Sequence, residues 1–167
     1  MNETRLPRNG KEGAIYGAII VTLTALFMTT LNVFLSDAEF NGDALLMILK
    51  IFPIMWIIAM VLEPVLIGRI AEKLVTVFTQ PTDSFNAKIL FRILFTVIGM
   101  SAVMTLLGDI VVNGFSTDIF SNWLSNWPRN FAIVLIAESL VIQPIARFAM
   151  VKMHAAQEKN VQVEKQA

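Results

Sequence analysis

The 167-residue sequence contains no cysteine and a single histidine. The first absence excludes disulfides, iron–sulfur ligation and thiol catalysis. The second makes a His-rich metal site an unsupported reading, because His154 stands alone in a polar C-terminal stretch. Charge is sparse as well, at 16% of residues, where soluble domains carry about 25%. The 13 basic and 13 acidic side chains cancel, so net charge points to no nucleic-acid partner. No His, Cys or acid pair has hydrolytic or metal-ligand spacing. The expectation is a protein that is not an enzyme and holds no cofactor or metal.

Apolar residues fill that space. They make up 56% of the chain and fall in four runs, from Ala14 to Ser36, Ala44 to Gly68, Ile89 to Val112, and Asn130 to Met150. Each is about as long as a helix needs to be to span a bilayer, roughly 20 residues. In lipid every backbone group must be satisfied within the segment, so helix prevails over the strand preference of the β-branched residues. The first run is too long for a signal-peptide core, and no A-x-A-like site follows it. The predicted fold is an all-α membrane protein: four transmembrane helices, arranged as two tandem hairpins in a four-helix bundle. Its parts are an N-terminal tail (1–13), a first hairpin (14–75), a linker (76–88), a second hairpin (89–153) and a polar tail (154–167).

Lys and Arg set the expected topology. Eleven of the 13 fall on one side of a four-span chain, and only Lys50 and Arg129 fall on the other. The positive-inside rule then places both termini in the cytoplasm. The first outer connection, "SDAEFNGD", has three acids and no base. The second contains "SNWLSNWP", in which Trp123 and Trp127 share one helical face. With Phe120 and Leu124 they suit a short helix lying among headgroups as an aromatic anchor.

The halves resemble each other. "FMTTLNV" (27–33) pairs with "VMTLLGD" (103–109), and "LEPVLIGR" (62–69) pairs with "IQPIARFA" (142–149), Pro64 against Pro144. Two spans per repeat make the repeats parallel, with the pseudo-symmetry axis along the membrane normal. That is unlike the inverted repeats of many transporters. The motifs "GMSAVMTLL", "WLSNWPRNFAIVL" and "QPIAR" resemble the two-helix bacterial membrane family called domain of unknown function 2798. The second half matches well. The first departs from it, with Met47 in place of Trp127 and Asp43 in place of Trp123. The resemblance implies the hairpin fold and a bacterial cytoplasmic (inner) membrane location, and brings no activity.

Polar residues inside the runs are the candidates for function. Ala18, Thr22, Ala25, Thr29, Asn32 and Ser36 form a small and polar stripe on the first helix. Ser101, Thr105 and Gly108 are its counterparts on the third. Small and hydroxyl residues let membrane helices approach and hydrogen-bond. The stripe reads either as a packing seam or as the lining of a polar cavity. Pro53, Pro64 and Pro144 fall inside spans, where proline tends to kink a helix.

Charged residues sort by depth. At about 1.5 Å per residue, Lys50 lies roughly 9 Å and Asp109 roughly 13 Å outward of mid-helix. They are positioned to pair, unless Lys50 reaches for the headgroups. Glu63 lies roughly 10 Å inward, close in depth to Arg92 and Arg147, which suggests an inner ion-pair layer.

Glu138 lies near the midplane with no base at its level, and its repeat counterpart in this alignment is Ile58. A charge at the bilayer centre costs about 2.5–3.5 kcal/mol on insertion scales. Glu138 therefore reads as a protonated carboxyl hydrogen-bonded to Thr29, Asn32, Ser101 or Thr105, as a proton or cation site in a cavity, or as a lipid-facing acid. The expected function is transport or efflux of a small cationic or amphiphilic solute, with Glu138 as the coupling carboxylate. The alternative is a non-catalytic membrane subunit that packs against a larger partner. A transporter of four helices leaves little room for a solute inside one chain, so a homodimer is expected with it.

Overall fold

A computed structural model describes residues 5–35 and 42–164. Every regular element among them is helical. Helix α1 spans Gly10–Leu35. Helix α2 (Gly42–Leu62) runs through a π-helical turn, Glu63–Ile67, into α3 (Gly68–Phe78). Helix α4 covers Phe85–Asn113. Helix α5 (Ile119–Ala137) passes through a second π-helical turn, Glu138–Ile142, into α6 (Gln143–Glu164). The result is four continuous rods, each long and apolar enough to cross a bilayer.

Local chemistry sets the breaks between rods. The Ser84 hydroxyl accepts the Ala87 backbone N–H at 3.2 Å and caps the start of α4. Gly114, at φ +76° and ψ −176°, takes a backbone conformation open essentially only to glycine and ends it. Within the rods, no water is at hand to satisfy broken backbone bonds, so the apolar runs stay helical throughout.

Helix α1 packs against α2, α4 and α6, while α4 also packs against α5 and α3. The centre is filled by Met28, Met55, Met104, Val33 and Val134, all fully buried. Leu45, Leu49, Ile57 and Val61 of α2 point outward and are exposed, as lipid-facing side chains must be. Small residues permit close approach: a Cβ on Gly99 would lie 2.9 Å from the Ile67 side chain, so α4 presses directly on the first π turn.

Two features differ from expectation. There is no separate headgroup helix before the fourth span, since α5 already begins at Ile119. Trp123 and Trp127 stack on each other at 5.5 Å, and both indoles turn toward α4. Trp123 donates to the Ala102 carbonyl at 2.7 Å, and Trp127 to the Ser101 hydroxyl at 3.1 Å. An indole N–H needs an acceptor when half-buried, and the α4 flank supplies one to each ring. Phe120 and Leu124 remain exposed.

The second difference is at the C-terminus, where α6 continues through the polar stretch to Glu164. His154 is buried there, its Nε2 3.0 Å from Glu12 Oε2. Glu12 also accepts the Arg8 backbone N–H at 2.7 Å, so the segment around Arg8 and Glu12 is clasped to α6 at one end of the bundle. Ser36, Lys165 and most of the acidic first connection lie outside the described residues.

Candidate functional site

The fourth rod carries Glu138 at the first position of its π turn. In an α-helix, residues five apart do not share a face. In the π turn the Gln143 backbone N–H bonds to the Glu138 carbonyl, and the extra residue per turn brings the two side chains together. Gln143 Nε2 donates to Glu138 Oε1 at 3.2 Å. From α1, the Thr24 hydroxyl donates to Glu138 Oε2 at 2.8 Å. Tyr16 extends the chain by donating to Gln143 Oε1 at 2.8 Å, and Arg147 lies beside the Tyr16 hydroxyl. Glu138 is 4% exposed, and both of its oxygens are held by neutral donors from two different rods.

A cavity of about 480 Å³ reaches this carboxylate. Its lining interleaves apolar residues, Ile20, Val21, Ile93, Val97, Met100 and Val134, with the polar Tyr16, Thr24, Glu138 and Gln143. Glu63, Arg92, Leu6 and Pro7 are among its other residues. Leu6 and Pro7 belong to the segment that precedes α1, which puts that part of the lining at the end of the bundle where Glu12 meets His154. The chamber therefore combines an apolar body with a single deeply buried carboxylate.

The sequence-predicted residues divide into two groups. Glu138 does not meet Thr29, Asn32, Ser101 or Thr105. Depth explains why: Asn130, eight residues back on the same rod and thus about 12 Å away along the axis, is the residue level with that cluster. Asn130 Nδ2 donates to Thr105 Oγ1 at 3.2 Å and to Asn32 Oδ1 at 3.4 Å. Ser101 bonds Trp127, as above, and Thr29 is buried with its hydroxyl unpartnered.

The expected charge pairs rearrange as well. Asp109 accepts from Asn113 at 2.6 Å, while Lys50 is exposed. Among the described residues the ion pairs are Arg92–Glu72 at 3.1 Å, Arg8–Glu158 at 3.5 Å and His154–Glu12. Arg92 thus pairs with Glu72 rather than Glu63, in an exposed contact of the kind that adds little stability.

The profile of the family described as Domain of unknown function (DUF2798) matches residues 9–79 and again residues 85–154. The chain belongs to this family. It carries the family's unit twice, in tandem. It is also similar to the uncharacterized protein YybC of Bacillus subtilis (strain 168), at 28% identity over 153 residues, covering 88% of this chain and 94% of that one. No solved structure matches the chain significantly.

The two family matches also correct the repeat alignment. Residue 85 falls 76 positions after 9, and residue 154 falls 75 after 79. At these offsets Met28 pairs with Met104, Thr29 with Thr105 and Asn32 with Gly108. In the second helix of each unit, Pro53 pairs with Pro128 and Glu63 with Glu138. The helices agree, because each π turn begins at one of these glutamates. Glu138 is therefore the counterpart of Glu63, not an isolated acid opposite Ile58, and both line the same cavity. Pro64 and Pro144 are not equivalent: one lies inside its π turn and the other just after it.

Proposed function

We propose that this protein binds a small amphiphilic cation in the cavity and moves it across the bilayer, with Glu138 as the binding and coupling carboxylate. The observation that carries the reading is one cavity of about 480 Å³ in which a buried carboxylate sits among mostly apolar side chains. Its volume falls within the roughly 300–1,000 Å³ of small-molecule sites. The apolar side chains of the lining suit the body of an amphiphile. Glu138 suits its charged head, because the carboxylate's own partners, Thr24 and Gln143, are neutral. An intramembrane acid without a basic partner is expensive unless it meets a proton or a cation.

The division of Lys and Arg supports a topology with both termini in the cytoplasm. The segment holding Leu6 and Pro7 then lies on the cytoplasmic side, and the direction proposed is outward, from a bacterial inner membrane. A homodimer remains part of the proposal, although a chamber within one chain removes the need for a second copy to make room.

The test is transport in inside-out vesicles that carry the protein. Wild type is expected to accumulate a fluorescent amphiphilic amine, and Glu138→Gln to abolish this while inserting normally. Equal accumulation by the two would refute the role of Glu138.

A further inference from the structure

A second, smaller cavity of about 90 Å³ lies toward the opposite end of the bundle, lined by Asn32 and Thr105 with Asp109, Trp123 and Asn130 among its other residues. Its polar groups are in surplus. Asn130 is 2% exposed and its Oδ1 has no protein partner; neither has Asn32 Nδ2. Turning both amides over would leave Asn130 Nδ2 and Asn32 Oδ1 unmatched instead, so the surplus does not depend on amide orientation. Buried polar groups with no protein partner are served by water. At about 90 Å³ the pocket is well above the roughly 10–15 Å³ that an ordered water needs.

Three helices connect this pocket to the large cavity by steps of four residues. On α1 the order is Thr24, Met28, Asn32. On α4 it is Met100, Met104, Gly108, and on α5 and its π turn Glu138, Val134, Asn130. The first of each set lines the large cavity and the last lines the small one. Between the two lies a layer of Met28, Met104 and Val134, each 1% exposed or less. Met28 and Met104 are repeat counterparts. The two levels are eight residues apart on each helix, about 12 Å, with this single layer between them, and methionine is an unbranched, adaptable core side chain.

The path lies on one flank only. Asn130 has Met55 as its counterpart, and Asn32 has Gly108. A Cβ on Gly108 would overlap the Asn32 amide nitrogen, so a single asparagine occupies the space that the two equivalent positions share.

We propose that the small pocket is a water site that delivers protons to Glu138, with the Met28–Met104–Val134 layer as its closed gate. The proposal rests on Glu138 being the coupling carboxylate. When the layer parts, a proton passes from pocket water to the Glu138 carboxylate. It leaves on the side of the large cavity, so one proton enters for each release and no other bond changes. An ammonium solute competes with that proton for the same two oxygens. This makes the exchange an antiport of proton against cation.

The experiment is proton flux into liposomes containing the purified protein and a trapped pH dye, under an imposed pH gradient. Met28→Ala/Met104→Ala is expected to raise the flux on the order of tenfold or more, the change that about 1.4 kcal/mol off a barrier produces. Adding Asn130→Leu or Glu138→Gln should return it to the wild-type rate. A folded double variant with wild-type flux, or a raised flux that neither addition lowers, overturns the proposal.

Water-edited solid-state NMR of the wild-type protein tests the same site without a variant. The side-chain amides of Asn32 and Asn130 should receive polarisation from water, as that of exposed Asn122 does; dry amides overturn the proposal. Binding of the fluorescent amine separates the two readings. If Asn130→Leu binds it normally and Glu138→Gln does not, the solute site stands whatever the flux shows. A gated flux without amine binding would keep the proton path and remove the solute.

Discussion

Replacing Glu138 by alanine and by glutamine should give two different proteins. Alanine removes the acceptor of both the Thr24 bond at 2.8 Å and the Gln143 bond at 3.2 Å. Hydrogen bonds inside membrane proteins average about 0.6 kcal/mol and reach about 1.7, so the two together contribute roughly 1–3 kcal/mol. Removing the side chain also enlarges a void, where large-to-small changes cost about 2–5 kcal/mol. Glu138 already borders the large cavity, which puts this second cost at the low end. The sum for Glu138→Ala is about 3–5 kcal/mol.

Glutamine keeps both contacts. Its carbonyl accepts from Gln143, and its amide donates to the Thr24 hydroxyl, which accepts as readily as it donates. Glu138→Gln should therefore fall within about 1 kcal/mol of wild type. Reversible unfolding by sodium dodecyl sulfate in mixed micelles measures both variants. An alanine variant as stable as wild type, or a glutamine variant as costly as alanine, would refute the hydrogen-bonded placement of Glu138.

Gly108→Ala should destabilise by about 1–3 kcal/mol, the usual cost of overpacking, because its methyl overlaps Asn32; Asn32→Ala in the same chain should recover most of the loss, read as non-additivity in the same unfolding assay. Glu12→Ala and His154→Ala should each lower the unfolding midpoint, and the double variant should cost less than their sum, since either one alone breaks the same buried contact. Single cysteines on the cysteine-free background should react with an impermeant maleimide from outside at position 115 and not at position 8, and the reverse pattern would invert the proposed topology.

The four rods were legible because a bilayer demands long apolar runs, and those runs are unmistakable in this composition. Glu138 stood out for the opposite reason, as a charge with nothing at its level. Its partners did not stand out. Thr24 lies off the small and polar stripe traced along α1. Gln143 lies five positions from Glu138, a spacing that α-helical periodicity does not bring to one face.

The repeat register has its own cause: aligning Pro64 with Pro144 slips the second helices by five residues, because one proline lies inside its π turn and the other just after it. The pairing of Pro53 with Pro128 was the available signal for the true register. The clasp of Glu12 and His154 was hidden by composition, because a polar stretch reads as solvated until another element is seen to cover it.

Equilibrium binding to the purified protein tests the central claim most directly. The probes are a fluorescent amphiphilic tertiary amine and its uncharged isostere, each measured on wild type and on Glu138→Gln. The account predicts saturable binding of the amine at one site per chain, weakened on the order of tenfold or more in Glu138→Gln, the equivalent of about 1.4 kcal/mol. The isostere should bind the two proteins alike and more weakly than wild type binds the amine. Amine affinity that is the same in wild type and Glu138→Gln would contradict it.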